Sequence, residues 1–171
     1  MVLVLCEQEN VTQIKVKMES KMIKICFICH GNICRSPMAE FVFKEMVKKK
    51  GVADDFEIVS RATSTEEIGN DIHPGTRRVL KKHGIPTFPR MATQLTARDY
   101  SQYDYLIAMD HYNLRNIRRI VGEDTQQKVS LLLSFAGRSE DIADPWYTGN
   151  FDETYGDVVE GCQGLLKTLG Y

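Results

Sequence analysis

Apolar positions along this chain fall into two rhythms, and the order in which the rhythms succeed one another predicts its architecture. Residues 22–28 are apolar at nearly every position and rich in branched side chains, the pattern of a strand buried on both faces. Residues 37–50 switch to helical spacing, with Ser36 predicted as N-cap, Pro37 at the first helical position and Gly51 as the stop. A second strand is predicted at 56–60, followed by a polar, turn-rich stretch over 61–71. Residues 73–83 predict a helix closed by Gly84, with Val79 and Leu80 facing inward. Then come a short helix at 96–103, a third strand at 105–109 and a basic helix at 111–121 ending at Gly122. A fourth strand at 129–133 leads into a long loop through Asp144-Pro145-Trp146-Tyr147, and a last helix runs from about 152 to 169. Strands separated by helices imply right-handed crossovers. The expected class is therefore α/β: a single doubly wound domain whose central four-stranded parallel sheet is flanked by helices.

Residues 1–21 do not share these rhythms. They are polar after the first six and are expected to form an N-terminal extension outside the fold, with Met22 a candidate natural start. The competing reading is an added edge strand over 12–17. The expected domain is 22–171, long enough for one full core. With 22 Lys+Arg against 23 Asp+Glu, bulk charge makes no case for nucleic acid or an acidic membrane. The Lys48-Lys49-Lys50 cluster suits the negative end of a helix. Five cysteines (6, 26, 29, 34 and 162) make an odd count in a chain too large to need stapling, which points to a reducing compartment. No apolar run approaches the ~18 residues of a membrane span, and the opening six residues lack the basic start of a signal peptide. A cytoplasmic protein is expected.

Chemistry concentrates in the run Cys29-His30-Gly31-Asn32-Ile33-Cys34-Arg35-Ser36-Pro37. A strand, a tight loop and a helix N-terminus make a phosphate cradle, because loop N–H groups converge on one point and the helix presents its positive end. A cysteine at the head of that loop is favoured as the thiolate, the nucleophilic form. Arg35 offers a planar fork matched to two phosphate oxygens. The run thus predicts a cysteine that attacks phosphorus. Three rivals fail. Cys26-Phe27-Ile28-Cys29-His30 matches a haem-attachment pattern, but Cys26 lies within an apolar strand. Zinc binding by Cys26, Cys29, His30 and Cys34 fails because strand residues alternate in facing and no second ligand pair follows. The Gly-Lys-Ser/Thr ending of a nucleotide-binding loop is missing. Neither a metal nor another cofactor is expected.

The loop resembles that of the low-molecular-weight protein tyrosine phosphatases, in a form similar to bacterial members. The likeness extends in order through Ala62-Thr63-Ser64, Ile68-Gly69-Asn70, His83-Gly84-Ile85, Met109-Asp110, Asn113-Leu114-Arg115 and Asp144-Pro145-Trp146-Tyr147. It implies a phosphotyrosine phosphatase in which Cys29 forms a thiophosphate intermediate. Arg35 and the amides of His30, Gly31, Asn32, Ile33, Cys34 and Ser36 would hold the phosphate. Asp144 would protonate the leaving phenolate and then activate water. Ser36 would donate to the Cys29 sulfur, and the resemblance places Asn32, Ser36 and His83 in one hydrogen-bond network. Asn32 is expected in a left-handed conformation. Ile33, Glu66, Trp146 and Tyr147 would line the substrate pocket. Cys34 is the expected redox partner of Cys29, since a tight loop brings the two sulfurs within reach of a reversible disulfide.

Two departures matter. Glu66, followed by Glu67, stands where many members carry an aromatic, which should disfavour acidic phosphopeptides. His30 replaces a bulky apolar residue common in the animal enzymes. Among sister activities, thioredoxin-coupled arsenate reductases need further cysteines, and none lies between Cys34 and Cys162. Protein-arginine phosphatases carry threonine where this chain has Ile33. A catalytically dead phosphate-binding module should lack Cys29, Arg35 or Asp144, and all three are present. The expected partners are phosphotyrosine proteins, a tyrosine kinase among them, with the chain a monomer or weak dimer.

Overall fold

The computed structural model describes residues 21–171, so all but the last residue of the expected extension, and the alternative edge strand at 12–17, lie outside the described residues. Strand β1 (Ile23–Cys29) is the centre of the molecule, and its residues Ile25, Cys26, Phe27 and Ile28 are wholly buried. It pairs in parallel with β2 (Phe56–Ala62) on one side and β3 (Tyr105–Ala108) on the other, and β4 (Val129–Leu131) pairs in parallel with β3. The sheet order is β2-β1-β3-β4. The period-two alternation of β1 sorts its side chains between two cores. Ile25 and Phe27 pack with Met38, Val42 and Phe43 of α1 (Arg35–Lys49) and with Val158 and Leu165 of α6 (Phe151–Thr168). Cys26 and Ile28 pack on the other face with Leu95, Tyr103 and Ile117, the last from α4 (His111–Val121). Helices on both faces make the sheet doubly wound, and the carboxyl ends of its strands gather the loops that carry the site.

The remaining α-helices among the described residues are α2 (Pro74–Lys82), α3 (Asp99–Gln102) and α5 (Pro145–Thr148). Several element ends differ from expectation for physical reasons. Helix α1 begins at Arg35, with Cys34 in the N-cap position and no side-chain cap; Ser36 is inside the first turn, its hydroxyl turned toward Cys29 instead. Pro37 is consequently the third helical residue, still in the turn where a missing N–H goes unnoticed. The predicted helix at 96–103 contracts to α3 because the Asp99 carboxylate accepts from Thr96 N at 2.6 Å and Thr96 Oγ1 at 3.0 Å, closing a turn first. β4 stops at Leu131, where the chain tightens into a 3₁₀ segment, Leu132–Ala136, that packs on α6. Helix α5 lies within the expected long loop; the Asp144 carboxylate caps it. Among the described residues no helix is long and apolar enough to cross a membrane.

Candidate active site

Cys29 ends β1, and the chain then folds over its own sulfur. The Asn32 N–H points at Cys29 Sγ from 3.3 Å, and Ser36 Oγ lies 3.1 Å from the same sulfur. Asn32 adopts the left-handed region with φ 58°, a conformation asparagine accepts more readily than most residues. The loop is pinned to its neighbour strand: Thr63 N donates to Cys29 O at 2.9 Å and Ser64 N to His30 O at 3.0 Å. Cys29, His30, Gly31, Ile33, Cys34 and Arg35 line one cavity of about 100 Å³ together with Glu66, Glu67, Asp144, Trp146 and Tyr147.

The buried Asn32 side chain is the hub beneath this loop. Its Nδ2 donates to Ser36 Oγ at 2.8 Å and to Ser60 Oγ at 2.9 Å. Ser60 in turn donates to the Glu40 carboxylate, whose other oxygen accepts from Lys44 Nζ at 2.6 Å. The expected third member is not there. His83 lies exposed at the end of α2 and stacks on Tyr155, centroids 3.9 Å apart and planes 10° from parallel. Arg90 and the Thr93 N–H instead serve the Asn32 side-chain oxygen. The physical reason is that α2 carries His83 toward α6, whereas the following segment, 86–94, runs back past the loop.

Arg35 is almost fully buried and anchored on one side. Its Nη1 donates to the Asp110 carboxylate and, at 3.0 Å, to the Ile142 carbonyl. Its Nη2 donates to Asp144 Oδ2 at 3.0 Å, while Nε is buried without a partner among the described residues. Burial works against the guanidinium charge, but Cys29, Asp144 and Asp110 outweigh it and hold the Arg35 pKa above its ordinary value. Asp144 divides its carboxylate between Arg35 and the Trp146 N–H, the latter at 3.1 Å. The two aromatics that follow stand out of the core: Trp146 is 57% exposed and Tyr147 is 83% exposed. Trp146 meets the ring of His73 edge-on at 5.7 Å, and His73 stacks on Phe151, so the wall has backing.

At the cavity mouth, His30 Nε2 pairs with Glu66 Oε2 at 2.9 Å, and Glu67 accepts from Asn70 Nδ2 at 2.7 Å. Cys34 also lines the cavity. Burial, aided by the nearby Cys29 and Asp144 charges, pushes its thiol up to about 12. Cys26 and Cys162 are fully buried thiols whose pKa values burial drives higher still. Among the described residues no cluster of three or more His, Cys, Asp or Glu is arranged to hold a metal ion.

Sequence reasoning missed Arg90, Ser60, Glu40 and Asp110 as parts of this site. Only Asp110 left a local signal, as the capping residue ahead of α4, where its carboxylate accepts from Asn113 N at 2.6 Å.

The family model described as low molecular weight phosphotyrosine protein phosphatase matches residues 24–171. The chain is 37% identical over 150 residues to the low molecular weight protein-tyrosine-phosphatase YfkJ of Bacillus subtilis, across 86% of this chain and 96% of that protein. It is 41% identical over 155 residues to the low molecular weight phosphotyrosine protein phosphatase of Schizosaccharomyces pombe, across 88% and 99%. The crystal structure of YfkJ matches with a TM-score of 0.85, covering 88% of this chain and 96% of that one. A Drosophila arginine phosphatase matches at 0.79 and 30% identity, covering 87% and 99%. The shared fold thus spans proteins named for two different phosphoamino acids.

Proposed function

The chain belongs to the low molecular weight phosphotyrosine protein phosphatases and acts on phosphotyrosine in proteins, and we propose that Cys29, Arg35 and Asp144 carry its reaction. The observation that carries the assignment is that all three line one cavity with the Ser36 hydroxyl 3.1 Å from the Cys29 sulfur. The Cys29 thiolate attacks phosphorus in line. An S–P bond forms as the P–O bond to the phenol breaks, and the departing oxygen takes a proton from the Asp144 carboxylic acid. Water then gives a proton to Asp144 and its oxygen to phosphorus. The P–S electron pair returns to sulfur, where the Ser36 hydroxyl stabilises it.

Arg35 supplies the phosphate-binding edge. Nη1 is committed to Asp110 and Ile142, which leaves Nε and Nη2 as a parallel pair of donors for two phosphate oxygens. Bound phosphate competes with Asp144 for Nη2, so binding substrate releases the acid toward the leaving group. Ile33, buried beside the cavity, offers a phenyl ring an apolar wall, which favours phosphotyrosine over phosphoarginine. The exposed faces of Trp146 and Tyr147 extend that wall. Cys34, in the same cavity, serves as the resolving thiol. The chain works as a cytoplasmic monomer or weak dimer on phosphotyrosine proteins, tyrosine kinases included, in a compartment that keeps Cys29 reduced.

Fresh reduced protein should release a burst of p-nitrophenol from p-nitrophenyl phosphate, and Cys29→Ser should show none. Asp144→Asn should keep the burst but lower turnover of phenyl phosphate by about 10²–10⁴. Parallel phosphotyrosine, phosphoarginine and phosphoserine peptides check the substrate. Preference for phosphoarginine, or a Cys29→Ser protein that turns over like the parent, defeats the proposal.

A further inference from the structure

We propose that Arg90 is a positioning residue of the phosphate loop, clasping Asn32 from outside and thereby directing the hydrogen bond that reaches the Cys29 sulfur. The inference rests on Cys29 being the nucleophile and goes beyond it, to the residue that sets the nucleophile's surroundings. Arg90 sits in the segment between α2 and α3, 58 positions from Asn32 in sequence. Its Nη1 donates to the Asn32 main-chain carbonyl at 2.9 Å, and its Nη2 donates to Asn32 Oδ1. One guanidinium therefore grips the backbone and the side chain of the one loop residue held at positive φ. Such a conformation persists only where its surroundings over-determine it.

The clasp also gives the network a direction. With Arg90 and the Thr93 N–H both donating to it, the oxygen of the Asn32 amide must face them. The amide nitrogen is thereby turned to Ser36 and Ser60, so both hydroxyls accept from it. Ser60 spends its proton on Glu40. Ser36 has its proton left, and the nearest acceptors are Cys29 Sγ at 3.1 Å and Arg61 O at 3.4 Å. A thiolate is the stronger acceptor, so the Ser36 proton goes to sulfur. Without Arg90 the amide oxygen keeps the Thr93 N–H but loses its charged donor, so the amide turns over more readily, and a reversed Asn32 would compete for that proton.

Charge acts in the same sense. Burial lowers the Arg90 pKa, while Glu40, Cys29 and Asp71 favour its cation and Arg61 opposes it. A half-buried cation behind the loop favours an anion at the head of it. Lysine could keep that charge, but its single point of attachment cannot serve both oxygens of Asn32.

The test measures the rate of Cys29 alkylation by iodoacetamide as a function of pH, with p-nitrophenyl phosphate turnover alongside, for the parent chain, Arg90→Met and Arg90→Lys. Arg90→Met should lose about tenfold in kcat/KM, the size of one lost charge-assisted hydrogen bond, and its alkylation should rise only at higher pH. Arg90→Lys should recover less than half of either change. An unmoved alkylation profile in Arg90→Met overturns the inference even if turnover falls, since a purely structural residue would do that. Full recovery by Arg90→Lys overturns the clasp. If Arg90→Met does not fold, the smaller alkaline displacement expected of Arg90→Lys decides alone, and its absence counts against Arg90. A parent chain without turnover fails the reading of Cys29 itself, a result separable from both.

Discussion

Two cysteines five residues apart in one loop meet different surroundings. Cys29 faces a backbone N–H, the Ser36 hydroxyl and Arg35, whereas Cys34 is buried among its neighbours with its thiol pushed up to about 12. A thiol with so high a pKa stays protonated below about pH 10 and is a poor nucleophile and a slow target of peroxide. Cys34 should therefore act second. Iodoacetamide at pH 7 should label Cys29 and leave Cys34 unmodified, as peptide mass mapping would show. After brief peroxide treatment, dithiothreitol should restore the parent chain, while Cys34→Ser should lose activity that dithiothreitol does not return. Equal recovery in the two proteins would remove Cys34 from a protective role. Asp144 likewise takes its role from its surroundings: an Asp-Pro pair is an ordinary turn starter, and here it caps α5 while also meeting Arg35.

At the scale of elements, helix α6 closes one face of the sheet by lying closer to the 3₁₀ segment Leu132–Ala136 than any side chain at the contact would permit. A Cβ placed on Gly161 would lie 2.5 Å from Leu132 Cγ, and one on Gly164 would lie 2.2 Å from the Phe135 carbonyl oxygen. Alanine at an exposed helix position gains about 1 kcal/mol over glycine. Against a main-chain carbonyl that gain is outweighed, since overpacking costs roughly 1–3 kcal/mol and backbone cannot step aside like a side chain. Gly164→Ala should therefore lower the urea midpoint at an unchanged m-value. A more stable variant would mean that α6 seats elsewhere. Helical periodicity reveals which face of α6 turns inward, but the closeness of approach is a property of two elements together.

For the whole molecule, a net charge of −1 hides a local asymmetry at the cavity mouth. Glu66 and Glu67 line the mouth, and among the described residues only His30 and Asn70 meet their carboxylates there. Phosphopeptides with acidic flanks should react with about three- to tenfold lower kcat/KM than basic ones at low salt, and the gap should narrow above ~0.15 M as the Debye length shrinks to ~8 Å. Glu66→Gln with Glu67→Gln should close it, by initial-rate measurements on matched peptide pairs. Equal rates at low salt would show that the mouth does not read charge.

Much of this protein was legible before any coordinate. Strand and helix rhythms are local properties, and they yield the α/β order, the buried β1, the whole of α4 and the phosphate loop with Cys29 at its head, because each depends on residues within a few positions of one another. Partnerships were not legible. Arg35 meets Asp144 across 109 positions and Asp110 across 75, and Arg90 rather than His83 reaches Asn32 across 58. Such pairs are set by which crossovers end beside which strand tips, and by which donor then lies within about 3 Å, quantities that no periodicity encodes. Trp146 makes the same point. Its place in the pocket wall was expected from the resemblance rather than from any periodicity, and folding leaves it at the surface beside the cavity because Asp144 caps the turn that carries it outward.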